Sequence, residues 1–317
     1  MGIQNLNRFL RKECPDSIRM MPILELSGKK IVIDISIYLY KFEAENALIE
    51  NMYLMLSIFH YYNIIPLFVF DGKPPAEKME LIIERIQEKK KAENEYYLLK
   101  QSETGSYEVQ KKMEALKKRF IYFKKEKIEQ VKKLITSYGA CYYEAPSEAD
   151  EICAALVIQK KVWACLTEDM DMFAYGCPRV LRYISLLKHT VVLYDTESIL
   201  QQLRIKQKEL REICVVSGTD YNKNMKTPFH LYKVLALFKL FRKQIRDSCD
   251  SKLSDDGFYE WLKIQHYVTD TEYESMKKID ILFDFTNVQL NDIRLSKNLI
   301  KRNDMISILR LDGFIFA

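Results

Sequence analysis

Short apolar runs set the limits on what this 317-residue chain can become. Lys30–Ser36 (K-I-V-I-D-I-S) and Ile64–Phe70 (I-I-P-L-F-V-F) are brief and rich in β-branched and aromatic residues. Val162–Leu166 is a third such run, and Ala140–Tyr143 a fourth. Continuous apolar runs of this length read as strands buried on both faces, the habit of parallel sheets. Helical patterns lie between them. Asn46–Tyr62 carries apolar residues at helical spacing. Ser147–Lys160 opens on Ser147 as an N-cap, and Asp150 completes a capping-box pattern. The alternation predicts an α/β fold, a mainly parallel central sheet flanked by helices.

Two stretches depart from that alternation. Glu77–Lys133 is long and charged, with Gly105 as its breaker, and reads as one or two long, solvent-exposed helices. After Thr196 the chain reads as helical, over Thr196–Leu203, Gln207–Val216 and Phe229–Ile245. Residues beyond about 250 show no clear pattern, and no internal repeat or Pro- or Ser-rich linker is present.

Glycine excludes whole classes of function. There are only 9, and no two are close enough to form Gly-x-Gly. Walker-type and dinucleotide-binding loops are therefore excluded in their usual form. His60, His189, His230 and His266 are isolated, which disfavours a histidine-built zinc site or a Ser-His-Asp triad. The 7 cysteines contain no Cys-x-x-Cys, and read as mostly buried, reduced thiols of an intracellular protein. Apolar runs such as Ile64–Phe70 fall far short of the ~18 residues of a membrane span, so no membrane partner is expected.

The net charge of +5 is mild, but its distribution is uneven. Asp71–Lys133 holds 17 basic and 12 acidic residues, Leu134–Tyr183 holds 4 and 7, and Tyr221–Asp247 holds 7 and 1. A basic arm, an acidic centre and a second basic element fit a protein that grips a polyanion and binds cations in its middle.

The acidic residues fall at instructive places. Asp34 sits in the first run, and Asp71 directly follows the second. Asp169 and Asp171 follow the Val162–Leu166 run, Glu148 and Asp150 stand at a helix entrance, and Asp220 lies at a turn after a helix. Open parallel sheets bind ligands at the carboxyl ends of their strands. One such acid is usually a helix cap. A set of 7 is better explained by cations, because crowded like charges are costly unless neutralised. Oxygen-only donors favour Mg²⁺ or Mn²⁺. Two such ions ~4 Å apart can orient a water and stabilise the leaving oxygen in phosphodiester cleavage.

These residues sit in recognisable company. Met1-Gly2-Ile3-Gln4-Asn5-Leu6, Val32-Ile33-Asp34, Val69-Phe70-Asp71-Gly72-Lys73-Pro74-Pro75, Ala145-Pro146-Ser147-Glu148-Ala149-Asp150, Thr167-Glu168-Asp169-Met170-Asp171 and Gly218-Thr219-Asp220-Tyr221 occur in order. Together they resemble the signature of the flap structure-specific endonucleases, the XPG-type 5′ nucleases, over about residues 1–250. The resemblance implies the PIN-like 5′ nuclease fold with a helical arch and a helical C-terminal part. It divides the chain into an N-terminal nuclease segment (1–76), an arch (77–133), an internal nuclease segment (134–220), and a degenerate helix-hairpin-helix region with a C-terminal extension (221–317).

It also implies an activity: Mg²⁺-dependent cleavage of branched DNA with a 5′ single-strand flap, using two ions, with Mn²⁺ a plausible substitute, and a 5′–3′ exonuclease mode. Asp34, Asp71 and Asp150 resemble the ligands of one ion. Glu148, Asp169, Asp171 and Asp220 resemble those around the other. Asp150 replaces the family's usual Glu, so its shorter arm is expected to act through a water or a local shift. Lys78 and Arg85, seven apart and so on one helical face, resemble the arch residues that contact the scissile phosphate. Tyr40 resembles the aromatic on which a nucleobase stacks. Gly2 resembles the small residue that lets the chain end approach DNA.

Three departures are evident. The Tyr40–Tyr62 segment is shorter than usual, where the family places its wedge against the junction. Lys226-Thr227-Pro228-Phe229-His230-Leu231-Tyr232 lacks the hairpin glycines, leaving Lys223, Lys226 and Lys233 to bind duplex electrostatically. No sliding-clamp-binding tail is recognisable, and a monomer in the nucleus or another DNA-replication compartment is expected. An RNA or single-strand nuclease of the same fold, and a non-catalytic DNA-junction binder, stay open as alternatives.

Overall fold

The computed structural model describes residues 2–101, 106–222, 229–247, 251–284, 290 and 293–316, with the side chains of 251–256 excepted. In chain order the elements begin with α1 (Leu6–Glu13), β1 (Ile18–Pro22), β2 (Lys30–Asp34), α2 (Ser36–Ala44), α3 (Leu48–Tyr61) and β3 (Ile65–Phe70). Next come α4 (Met79–Gln101), α5 (Tyr107–Lys117), α6 (Lys125–Ser137), β4 (Cys141–Glu144), α7 (Ala149–Ile158), β5 (Ala164–Leu166) and α8 (Met172–Tyr175). The chain continues with β6 (Arg179–Ser185), β7 (Thr190–Asp195), α9 (Thr196–Leu203), α10 (Gln207–Ser217), α11 (Leu231–Asp247), α12 (Ser251–Ile264), α13 (Asp270–Leu282) and α14 (Arg302–Leu311). Two compact units result, one of residues 1–25 and 149–292, the other of 26–148 and 293–317.

In the second unit β2, β3 and β4 run parallel, with β3 in the middle. The residues of β2 and β3 are apolar and largely buried, which is why those runs lack polar alternation, whereas β4 is partly exposed along its length. The register sets Asp34 beside Val69, so Asp34 and Asp71 emerge at the same, carboxyl, edge. Helix α6 buries Val131, Leu134 and Ile135 and receives α14 on its surface. Backbone bonds from Asn298 to Gly139 (2.9 Å) and from Lys301 to Ser137 (2.7 Å) tie the segment leading into α14 to the turn before β4.

In the first unit the strand order is β1-β7-β6-β5, with β5 and β6 parallel and the other pairs antiparallel. Helix α7 is sunk in apolar surroundings from Ile152 to Val157. Phe238 and Phe241 of α11 meet Phe258 and Trp261 of α12 through ring contacts of 5.2–5.7 Å.

The α/β reading and the four strand runs hold, with ends shifted by a residue or two. Three expectations need correction. The 77–133 stretch contains α4, α5 and the start of α6 rather than one or two helices, and α6 is half sunk in the core. Helix α7 starts at Ala149, not Ser147, because the carbonyls of Pro146 and Ser147 accept N–H groups from Lys73 and Gly72. Lys78 ends a 3₁₀ turn (Ala76–Lys78) ahead of α4, so it does not share an α-helical face with Arg85. The described cysteines are free thiols, all buried except half-buried Cys141. No helix among the described residues is long and apolar enough to cross a membrane.

Candidate nuclease site

In the second unit, Ser36 organises two of the carboxylates. Its backbone N–H donates to Asp34 Oδ1 (3.2 Å), and its hydroxyl donates to Asp71 Oδ2 (2.5 Å). The residue that opens α2 thus ties the end of β2 to the end of β3. Sequence reasoning missed Ser36; the Asp-x-Ser spacing at a strand end, typical of an Asx turn, was the available signal.

Glu148 comes alongside by backbone pairing. Gly72 N–H donates to Ser147 O (2.7 Å) and Ala145 N–H to Phe70 O (2.9 Å). A Cβ on Gly72 would collide with the Ala145 carbonyl, so only glycine permits this approach. Lys78 is buried and its Nζ lies 2.6 Å from Glu148 Oε2. The two side chains that the resemblance casts as a phosphate contact and a metal ligand therefore form one ion pair.

Tyr40 projects from α2 with 44% of its surface exposed, so it is no core residue. Its ring meets Phe123 edge-on at 4.8 Å, and Lys89 Nζ lies 4.7 Å from its centroid. Arg85 is exposed on α4.

In the first unit, the turn after β5 presents two carboxylates. Asp169 N–H donates to Thr167 Oγ1 (3.1 Å), and Asp171 N–H donates to Asp169 Oδ1 (2.9 Å). Both acids are buried. Gly2, at φ 72°, lies against them: a Cβ there would run into Asp169 Oδ1 and Asp171 Oδ1. Gly2 thus sits where any side chain would crowd these two carboxylates.

Asp150 stands in the first turn of α7, where the helix dipole favours an anion. Buried Asp220 lies in a turn held by Asn222, whose side chain accepts from Thr219 Oγ1 (3.0 Å) and donates to Val215 O (2.6 Å). Tyr175 and Tyr221 share a hydroxyl contact of 3.2 Å. Burial above all, then Tyr221, Asp150 and Asp171, push the Tyr175 phenol well above its ordinary value, so it stays neutral beside the acids.

Lys233 is exposed at the start of α11, 4.2 Å over the Phe229 ring. Lys223 and Lys226, with Thr227 and Pro228 of the glycine-free stretch, lie outside the described residues. Among the described residues, no three Asp, Glu, His or Cys side chains are gathered into one metal-sized cluster. The donor chemistry nevertheless fits Mg²⁺: the candidate ligands are all carboxylates, and those of Asp34, Asp71 and Asp169 are oriented by hydrogen bonds.

Residues 1–92 match the XPG N-terminal domain and residues 139–220 the XPG I-region, which together take in every one of these carboxylates. The chain belongs to the XPG nuclease family. It is 31% identical to flap endonuclease 1 of Homo sapiens over 240 residues, 70% of this chain and 62% of that protein. The match to flap endonuclease 1 of Xenopus tropicalis is 27% identical and covers 99% of this chain and 90% of that one. A solved structure of the catalytic core of Rad2 with DNA substrate has the same fold, with a TM-score of 0.70, 20% identity, and coverage of 98% of this chain and 95% of that one. The two matches leave most of the 77–133 stretch outside them: one ends at residue 92 and the other begins at 139.

Proposed function

We propose that this XPG-family chain is a Mg²⁺-dependent structure-specific 5′ nuclease. It hydrolyses phosphodiester bonds at 5′ flaps and branched DNA junctions, with a 5′–3′ exonuclease mode, and acts as a monomer where DNA is replicated. One observation carries the reading: the ion pair between buried Lys78 and Glu148, which stands on a loop hydrogen-bonded to the one bearing Asp71. A lysine buried against a carboxylate close to a strand end can exchange that partner for a phosphate. A plain binder gains nothing from carboxylates at the strand ends where phosphate would lie.

Asp34, Asp71 and Asp150 would hold one ion, and Glu148, Asp169, Asp171 and Asp220 the other. When bound, the ions supply an oriented water and neutralise charge on the leaving oxygen. The chain does the rest. Ser36 keeps Asp34 and Asp71 at fixed spacing, and the Thr167–Asp171 turn does the same for Asp169 and Asp171. Lys78 exchanges its carboxylate partner for phosphate oxygens as substrate enters, stabilising the charge that grows there. Exposed Arg85 adds a second cation from α4, and exposed Tyr40 offers a ring face to an unpaired base. Gly2 leaves the Asp169–Asp171 turn uncrowded. Lys223, Lys226 and Lys233 hold duplex by charge.

Cleavage of end-labelled flap, nicked, gapped and single-stranded DNA, and of matching RNA, with Mg²⁺ or EDTA, tests this. Mg²⁺-dependent cutting near the flap junction, absent in Asp169→Ala, is expected. Equal or better cutting of RNA would replace the DNA assignment, and binding without cutting would replace the enzyme.

A further inference from the structure

Asp169 is flanked on both sides by residues that one buried arginine holds. Arg182 lies on β6 and is only 5% exposed. Its Nη2 donates to the Glu168 carbonyl (2.8 Å) and lies 3.4 Å from Glu168 Oε2. Its Nη1 donates to Asn7 Oδ1 (3.1 Å) and rests on the Met170 sulfur. The residues immediately before and after Asp169 are therefore anchored by the two arms of one planar fork.

The backbone next to Arg182 is bent to the same end. The β6–β7 register shifts between Arg182 and Ser185, and Tyr183 takes φ 54°, in the left-handed region. An aromatic residue there costs energy and persists only where its surroundings demand it. The bend aims the Tyr183 N–H at Glu168 Oε1 (2.6 Å). Two guanidinium groups, of Arg11 and Arg182, lie 4.9 and 4.8 Å from the Tyr183 ring centroid.

Asn7 closes the network from the other side. Its amide donates to the Tyr183 hydroxyl (2.8 Å), and its Oδ1 also accepts from the Tyr194 hydroxyl (2.7 Å). Arg11, one turn on along α1, donates to the same Tyr194 hydroxyl (3.0 Å). Helix α1 is the element that leads back to Gly2, whose bare Cα sits against Asp169 and Asp171. The network therefore fixes the two carboxylates from their own turn and from the segment that faces them.

We propose that Arg182, with Glu168 and the Tyr183 bend, is a positioning residue for the Asp169–Asp171 pair. It sets the spacing of the two carboxylates and so the affinity for the divalent cation they receive. The proposal rests on the reading of Asp169 and Asp171 as metal ligands. Groups that orient metal ligands typically change metal affinity by ~10–100-fold when removed. Lysine cannot substitute, because one ammonium cannot serve both the Glu168 carbonyl and Asn7 with the geometry of a fork.

The test is a Mn²⁺ titration of the full chain followed by water-proton relaxation, with far-UV circular dichroism to verify folding. Arg182→Lys and Arg182→Met are each expected to raise the Mn²⁺ dissociation constant at least ~10-fold. Glu168→Gln, which keeps an acceptor for the Tyr183 N–H but loses the ion pair, is expected to raise it ~3–10-fold and decides the matter if the Arg182 variants do not fold. Asp169→Ala separates the two levels of argument. Wild-type Mn²⁺ affinity in Asp169→Ala would remove the metal-ligand reading itself. Loss of affinity in Asp169→Ala, with wild-type affinity in a folded Arg182→Lys or in Glu168→Gln, would overturn the positioning role alone.

Discussion

Glu212 offers a prediction whose size can be worked through. It lies on α10 with 4% of its surface exposed. Burial is the main cause that lifts its carboxyl from 4.5 to about 7; Asp280 and Glu209 push the same way, while Lys208 and the Phe258 N–H oppose. Asp280 is itself occupied by the Tyr259 hydroxyl (3.0 Å) and by Arg211 (3.8 Å). The neighbour on the far side is Gly257, at φ 77° and ψ 178°, where a Cβ would stand 3.0 Å from Glu212 Oε1. The folded state therefore holds the proton more tightly than the unfolded chain. A raised carboxyl gives stability that is complete below its ordinary titration range and is lost as pH climbs through about 7. The rise of roughly 2.5 units, at ~1.36 kcal/mol per unit, is worth about 3.4 kcal/mol in all, of which about 2.5 kcal/mol is lost between pH 5 and pH 8. Glu212→Gln keeps an acceptor for the Phe258 N–H and abolishes the titration. Urea unfolding of both chains at pH 5, 6, 7 and 8, read by circular dichroism, measures the difference. The two are expected to be similar at pH 5, with the variant more stable by up to ~2.5 kcal/mol at pH 8. An unchanged pH dependence in Glu212→Gln would show that Glu212 ionises normally and that the burial argument is wrong.

The remaining predictions concern the site. Asp169→Ala is expected to abolish cleavage while flap-DNA binding in EDTA survives or improves, as gel-shift and single-turnover assays will show; near wild-type turnover would remove Asp169 from the site. Lys78→Ala and Arg85→Ala are each expected to slow single-turnover cleavage at least ~10-fold, ~1.4 kcal/mol in the barrier; a loss confined to affinity would reduce them to backbone contacts. Gly72→Ala drives a methyl into the Ala145 carbonyl, and a loss of about 1–3 kcal/mol in unfolding free energy is expected alongside reduced cleavage. Tyr40→Ala is expected to cost ~1–3 kcal/mol of affinity for a 5′ single-strand arm while leaving duplex affinity unchanged.

The strands buried on both faces were legible because nothing polar interrupts them: β2 and β3 are apolar almost end to end. Strands β1 and β6 were not, and the reasons are local. Arg19 and Pro22 break the apolar character of β1, and in β6 buried Arg182 and the left-handed Tyr183 fall where a strand pattern wants apolar alternation. At the site, the carboxylates were visible because acids at strand ends are a pattern in one dimension. Ser36 was not, because its link to Asp71 exists only once β2 and β3 are in register. Lys78 was reached through the family signature, but its pairing with Glu148 is tertiary and no spacing along the chain announces it.

The interleaving of the two units has a consequence for the order in which this protein is made. Residues 26–148 carry Asp34, Asp71 and Glu148, yet their unit is completed by residues 293–317. At ~5–20 residues per second, translation needs roughly 7–30 s to pass from the end of the first stretch to the start of the last. Through that interval the turn before β4 has no Asn298 to donate to Gly139, and α6 has no α14 upon it. The other unit waits in the same way, since β1, the first of the described strands, pairs with β7, the last of them. A nascent chain thus carries its acids well before either framework that orients them has closed.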